Sequence, residues 1–384
     1  MTGHDYDVRH EDPDFLEYCY TRVWEAMGGS PEHAAILASC VSYGDRYGKL
    51  TQGMGVFEIP VAMARTGTMV MDARPEMVDS GDTWTVWDGH RSSGQWAFTL
   101  ATRKAIEQAG ECGIAIALVR NYNDAGAFGA YVQMAIDAGM VAMATNNSLP
   151  LVSPWGGMEN VLSGPPFAAG VPAGQHPPII SDVSMIDAHD GDISEAYYQG
   201  KSLRRGKVLV DPVTGELTDD PAPYIKPMDD YGRITDCEAP TVFNEPRTYA
   251  LNVFTEMLSS FIVPDSPIPP DIPNPASVWL ELQEVSLTGA GSIIVIDPSL
   301  WMPPGEMAAK VDRYADKVKG AKRRPGVEEI FLPGERGARR LREGGPVAIL
   351  PAHWESFERI VGEEGLNLDQ LRDNWKSSSS GGGL

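Results

Sequence analysis

The stretch from residue 114 to residue 145 limits the possible folds more than any other part of the chain. Residues 114–119 form a compact apolar run, 120–126 a polar loop, 127–138 a small-residue segment at helical spacing, and 141–145 a second apolar run. A strand, a helix and a second strand within about 32 residues make a βαβ unit, whose crossover must lie on one face of a sheet. The expected class is therefore α/β, with a parallel or mixed sheet covered by helices.

The flanking sequence extends this pattern. Residues 84–89 alternate as a short strand does, and Ser93 is placed to cap a helix whose apolar positions Trp96, Leu100, Ile106 and Ala109 fall near helical spacing. Two pieces of amphipathic helix, 34–41 and 61–69, surround a glycine-rich stretch at 48–55. Residues 148–174 are rich in Pro and Gly yet hold Trp155 and Phe167, a mixture that suits a pocket wall better than a linker. Further on, 179–182 and 292–296 read as strands, and 247–261, 307–318 and 353–361 as helices. Residues 187–192 read as an acidic loop, 211–224 as a turn-rich excursion and 263–275 as a Pro-rich loop. The Ser/Gly tail 377–384 is expected to be disordered. The expected organisation is a sheet domain over 113–298 and a helical or mixed domain built from 1–112 and 299–376.

Charge narrows the function. Against 53 acidic residues stand 31 Lys and Arg, for a net charge of -22. Such a surface repels phosphate backbones and anionic lipid, so neither a nucleic-acid partner nor a membrane partner is expected. The densest basic stretch, 319–324, is short. Cys19, Cys40, Cys112 and Cys237 are widely spaced, as reduced thiols of a cytoplasmic protein would be, and form no zinc or disulfide pattern. The polar first 14 residues lack a signal-peptide pattern, and no apolar run approaches the roughly 20 residues of a membrane span.

No G-x-G-x-x-G, Walker loop, H-E-x-x-H or G-x-S-x-G occurs, which disfavours a Rossmann dehydrogenase or a P-loop enzyme. Yet VRNYNDAGAFGAY, NNSLPLVSPWGG, PPIISDVS, VLVDPVTGELTDDP, IIVIDPSLW and LPGERG occur in an order that resembles the malate/L-lactate dehydrogenase family of non-Rossmann NAD(P)-dependent oxidoreductases. The resemblance spans about 40–366. It implies a mixed-sheet cofactor domain, a second domain from both chain ends, NAD or NADP as cofactor, a small-molecule substrate, and a homodimer with its active site between subunits.

The departures fall where that family does its chemistry. Its D-L-R-G-H-x-S-H-G segment lies on 45–53, where the catalytic histidine has become Gln52, preceded by Thr51, and the first histidine has become Lys49. A glutamine can donate a hydrogen bond but cannot exchange a proton near neutral pH. The arginine that holds a substrate carboxylate is here Val56. The N-H-F-G loop reads Asn123-Asp124-Ala125-Gly126, G-T-N-P reads Ser163-Gly164-Pro165-Pro166, and H-K-G-Y-G reads Pro246-Arg247-Thr248-Tyr249-Ala250. Asp182 and Gly94-Gln95 are kept.

The catalytic candidates are Thr51, Gln52, Lys49, Asp182 and His90; the cofactor-binding candidates are Asp124, Trp155 and Arg247. Each has a plainer alternative. Asp182 and Asp124 could simply cap turns, Lys49 could be solvated, and His90 could be an ordinary turn histidine rather than a replacement imidazole. Arg247 could belong to a helix start instead of meeting a phosphate. His189, with Asp187, Asp190 and Asp192, suits a solvated acidic loop better than a metal site. The expectation is a divergent NAD(P)-dependent oxidoreductase of a small carbonyl, hydroxy or imine compound. The alternatives are a lyase or isomerase that has repurposed the pocket, and a catalytically silent relative.

Overall fold

The computed structural model describes residues 8–49, 52–188, 192–193, 196–197, 200–204, 206–211, 213–222, 225–227, 234–237, 246–272 and 289–380. The chain starts with β1 (Arg9–Glu11) and helices α1 (Pro13–Ala26), α2 (Pro31–Tyr47) and α3 (Glu58–Arg65). Next come β2 (Glu76–Gly81), β3 (Trp84–Asp88), α4 (Gly94–Cys112), β4 (Ile114–Tyr122), α5 (Phe128–Asp137) and β5 (Val141–Asn146). A wall of short strands follows: β6 (Pro150–Val152), β7 (Leu162–Ser163), β8 (Pro166–Val171) and β9 (Ile179–Ser184). Two small ribbons pair β10 (Leu209–Val210) with β11 (Leu217–Thr218), and β12 (Ile225–Pro227) with β13 (Ile234–Cys237). The remainder is α6 (Pro246–Glu256), β14 (Gly289–Ile296), α7 (Glu306–Lys319), α8 (Glu335–Glu343), β15 (Val347–Ile349), α9 (Pro351–Glu363) and α10 (Leu368–Ser380).

Seven strands form one mixed sheet in the order β2-β3-β4-β14-β5-β8-β9. The expected βαβ unit is present, but β4 and β5 are not neighbours. β14 lies between them, antiparallel to both, so the α5 crossover spans an inserted strand. β3 pairs parallel with β4, and β8 and β9 complete the far edge as antiparallel neighbours. Strands β3, β4, β5 and β9 consequently all point the same way and bring their carboxyl ends to one edge.

The sheet reaches further towards the N-terminus than residue 113, where a boundary was expected. β2, β3 and α4 all belong to the sheet layer, because Ser93 starts α4 by accepting from Trp96 N at 3.2 Å and Gly113 ends it at φ 87°. The next residue, Ile114, begins β4. The core here is alanine-rich: Ala97, Ala101, Ala105 and Ala109 of α4 meet Ala115 and Ala117 of β4 and Ala142 and Ala144 of β5. Small side chains let helix and sheet approach closely. Phe98, Tyr122, Phe128 and Tyr131 fill the wider end, with ring centroids 4.9–5.4 Å apart.

A second core gathers Phe15, Tyr20, Trp24 and Phe57 with Trp354, Phe357 and Ile360. β1 pairs with β15 and fastens the two chain ends together. The tail does not begin at 377 as a disordered segment. α10 continues to Ser380, and the hydroxyls of Ser377 and Ser378 donate to the carbonyls of Asp373 and Trp375 at 2.8 and 2.7 Å, which lets these serines sit on a helix. The last four residues lie outside the described residues.

Candidate functional site

α2 ends at Gly48, whose φ of 73° turns the chain off the helix axis, and Lys49 follows at once. Its Nζ forms an ion pair with Asp182 Oδ2. Asp182 lies on β9, on the face that Ile180 turns into the core, so it looks towards α5. There Gly129 N, in the first turn of α5, donates to Asp182 Oδ2 at 3.0 Å. Unpaired amides at a helix start favour a carboxylate oxygen as acceptor, and this contact fixes the Asp182 side chain beside the lysine. The Asp182 side chain is 11% exposed and that of Lys49 28%, so the pair is screened from water without being sealed from a ligand. A half-buried ammonium fixed against a carboxylate can hold a proton and deliver it to a ligand oxygen or nitrogen.

Gln52 stands three residues beyond Lys49, and its backbone N–H donates to the Lys49 carbonyl at 2.9 Å. The segment is braced by Asp45, a buried carboxylate that accepts from Met54 N at 2.9 Å and from the Tyr20 hydroxyl at 2.7 Å. Burial raises the Asp45 carboxyl to about 6, against the lowering effect of those bonds and of Arg46. Close packing explains the glycines here: a Cβ at Gly44 would meet Gln52 O at 2.3 Å. Val56 is half-buried in the short 3-10 turn Met54–Val56. Thr51 lies outside the described residues.

Asp124 follows β4 in the left-handed region, at φ 46°. Its carboxylate accepts from Gly126 N at 3.1 Å and from Gln95 Nε2 at 2.7 Å, while burial raises its pKa against these bonds. This contact accounts for Gly94-Gln95: Gln95 holds Asp124, and a Cβ at Gly94 would lie 2.5 Å from Asp124 O. The Oε1 of Gln95 is buried with no hydrogen-bond partner. Asp124 and Asp182 thus flank the segment that enters α5.

The other sequence candidates lie elsewhere. His90 is exposed at φ 50°, with Nε2 3.3 Å from Glu76 Oε2 and Nδ1 3.4 Å from Asp88 Oδ1. Five strand spacings of ~4.8 Å separate β3 from β9, so within one chain His90 stands on the order of 20 Å from Asp182 and does not join the pair. Trp155 is half exposed in a turn shaped by Gly156 at φ 82°. Arg247 is exposed in the first turn of α6, whose Tyr249 packs on Val152 and Ile186, beside the strand leading to Trp155. Trp155 and Arg247 therefore border one cluster, and Asp124 another. His189 lies outside the described residues. Among the described residues no group of three or more His, Cys, Asp or Glu is placed to hold a metal ion.

Three groups escaped the sequence reading. Fully buried His33 has Nδ1 3.1 Å from Met71 O and Nε2 2.7 Å from Ser93 Oγ, and its ring stacks on Trp96. The carbonyl can only accept, so Nδ1 carries the proton and Nε2 accepts from Ser93. Glu256 bonds the hydroxyl of Ser163 and, at 3.0 Å, its amide, tying the wall to α6. Tyr43 lies beside Asp182. Only a helix-start serine cap ahead of His33 was visible as a signal; the others depend on contacts across the fold.

A family model for malate/L-lactate dehydrogenase matches residues 12–357. The chain belongs to this family. Its enzymes are dehydrogenases and reductases that act on small hydroxy acids with NAD or NADP. A malate dehydrogenase of Pyrococcus horikoshii is 24% identical over 360 residues, covering 90% of this chain and 93% of its own length. An L-sulfolactate dehydrogenase of Methanocaldococcus jannaschii is 26% identical over 348 residues, covering 90% and 95%. The solved structure of the sulfolactate dehydrogenase from Methanocaldococcus jannaschii superposes with a TM-score of 0.81 at 25% identity, covering 94% of this chain and 99% of that one. The seven-stranded mixed sheet is thus the malate/L-lactate dehydrogenase fold, and it carries a lysine and a glutamine where the resemblance led us to expect histidines.

Proposed function

We propose that this chain is an NAD(P)-dependent oxidoreductase of a small carbonyl, hydroxy or imine compound, in which Lys49 and Asp182 handle the proton. The observation that carries this reading is the ion pair itself, fixed by Gly129 N at the start of α5. The oxidoreductase names of the relatives support redox chemistry over a lyase or isomerase.

The residues present fit a nicotinamide nucleotide. Gln95 Oε1 is a buried acceptor without a partner at the carboxyl edge of the sheet, where α/β folds bind ligands, and a carboxamide N–H would satisfy it. Asp124 and Gln95 would hold that end, with Trp155 as an aromatic wall and Arg247 as a phosphate partner. When bound, the reduced cofactor supplies a hydride to the carbonyl or imine carbon. Lys49 donates the proton that the substrate oxygen or nitrogen takes up as its π bond is broken; Asp182 holds the ammonium in place before that transfer, and the amine takes a proton back from solvent afterwards. Thr51 and Gln52 polarise the acceptor by hydrogen bonding. In the oxidation direction Lys49, once deprotonated, removes the hydroxyl proton.

The same reading places a homodimer in the cytoplasm. Supporting it, Leu251, Phe254, Met257 and Phe261 follow one another at helical spacing along α6 and the turn beyond it, and each is 45–58% exposed. A face of this kind suits association. Fluorescence titration with NADH and NADPH, with turnover measured on a panel of 2-oxo acids and cyclic imines, tests the proposal. Saturable nucleotide binding with Lys49-dependent turnover is expected; a wild-type protein that binds neither nucleotide would refute it.

A further inference from the structure

The hydroxyl of Tyr43, on α2, is buried and has no partner in good hydrogen-bond geometry, only a loose approach to the Tyr47 hydroxyl. A buried donor left this way costs free energy, so its presence calls for an explanation. Its surroundings suggest one. A Cβ built on Gly129 would lie 2.5 Å from the Tyr43 hydroxyl and 2.7 Å from Asp182 Oδ2, so the two oxygens are no more than about 5 Å apart across the face of a glycine. The Tyr43 ring is held by stacking on Tyr47 at 4.4 Å, and Tyr47 in turn donates to Gln133 Oε1 at 3.0 Å. The groups facing Tyr43 are Tyr47 on its own helix, Asp182 from β9 and, at longer range, Asp137 from α5; Lys49 is paired with Asp182.

We propose that Tyr43 is a positioning residue of the Lys49–Asp182 pair: its hydroxyl donates to the Asp182 carboxylate when Lys49 turns from that carboxylate to the substrate. This deepens the proposed function and rests on it for the proton step. Gly129 is glycine because a methyl group there would occupy the space through which the two oxygens meet. Tyr43 has no counterpart among the family motifs quoted above, which begin at Asp45. The bond would keep Asp182 ionised after the ammonium has moved, so that the carboxylate does not draw the proton back.

The test uses Tyr43→Phe, which deletes the hydroxyl and keeps the stack, alongside Gly129→Ala. The titration of the Asp182 carboxyl is followed by 13C NMR of labelled full-length protein carrying Lys49→Met, in which the carboxylate is free to take the Tyr43 hydroxyl; adding either substitution is expected to move it up by roughly half a pH unit or more, because a hydrogen bond to the charged form is lost. In turnover, the acid limb of kcat/KM moves by the same amount, kcat falls about tenfold and KM stays within about twofold. An unmoved Asp182 titration when Tyr43→Phe is added to Lys49→Met, with only a lowered Tm, overturns the proposal. The NMR readout needs no turnover. If the titration moves while wild type neither binds nor oxidises a nicotinamide nucleotide, Tyr43 keeps its positioning role and the redox reading fails.

Discussion

His33 and Asp45, both on α2, should pull the stability of this protein in opposite directions as the pH falls. Burial lowers His33 from 6.5 to about 4, because a charged ring has no water around it between Met71 O and Ser93 Oγ. The unfolded chain takes up a proton near 6.5 and the folded one does not, so His33's contribution is complete above pH 6.5 and is lost as the pH falls towards 4. At 1.36 kcal/mol per unit this amounts to about 3 kcal/mol. Asp45 is raised from 3.8 to about 6 by burial, so the folded state binds its proton first, and acidification from 6 towards 4 strengthens the fold by about 3 kcal/mol. The two effects nearly cancel in wild type. Asp45→Asn removes the compensating gain and should lose about 3 kcal/mol more than wild type between pH 6.5 and 4; His33→Gln should lose about 3 kcal/mol less. Urea denaturation of the three proteins at several pH values measures this, with pH-independent costs of substitution dropping out of the slopes. If both variants follow wild type in parallel, the burial argument for these groups is wrong.

Further outcomes are expected at the site and the surface. Lys49→Met should lower kcat/KM by about a hundredfold or more while leaving NADH or NADPH affinity within about twofold, read by fluorescence titration and steady-state kinetics. Gln52→His alone should alter the pH–rate profile without good turnover of 2-oxo acids; Gln52→His with Val56→Arg should be needed for that, because a proton donor and a carboxylate clamp serve one transition state. Light scattering should give about twice the 41.6 kDa chain mass, and Phe254→Asp with Phe261→Asp should return it to the monomer value.

Much of the sheet layer was legible in the sequence because its signals are local. The Ser93 cap, the apolar runs of β4 and β5 and the small-residue helix between them each announce themselves within a few residues. The insertion of β14 between β4 and β5 was not legible, since a pairing that joins residue 293 to residues 117 and 144 leaves no mark at either place. At the site, Lys49 and Asp182 could each be named, but 133 positions separate them and only the fold shows that they meet. His90 illustrates the converse: its closeness to Gly94-Gln95 in sequence suggested a role, yet β3 and β9 lie at opposite parts of the sheet. His33 and Tyr43 were missed because a buried polar group inside a helix looks like any other helical residue until its partners are known.

Hydride transfer itself provides the most direct test of the central claim. NADH or NADPH carrying deuterium at the transferable position would be incubated with the protein and a panel of 2-oxo acids, neutral ketones and cyclic imines, and the products analysed by mass spectrometry and NMR. The account predicts deuterium on the reduced carbon of at least one product with wild type, and its loss with Lys49→Met although the nucleotide still binds. Label in no product, from a protein that binds neither nucleotide, would contradict it.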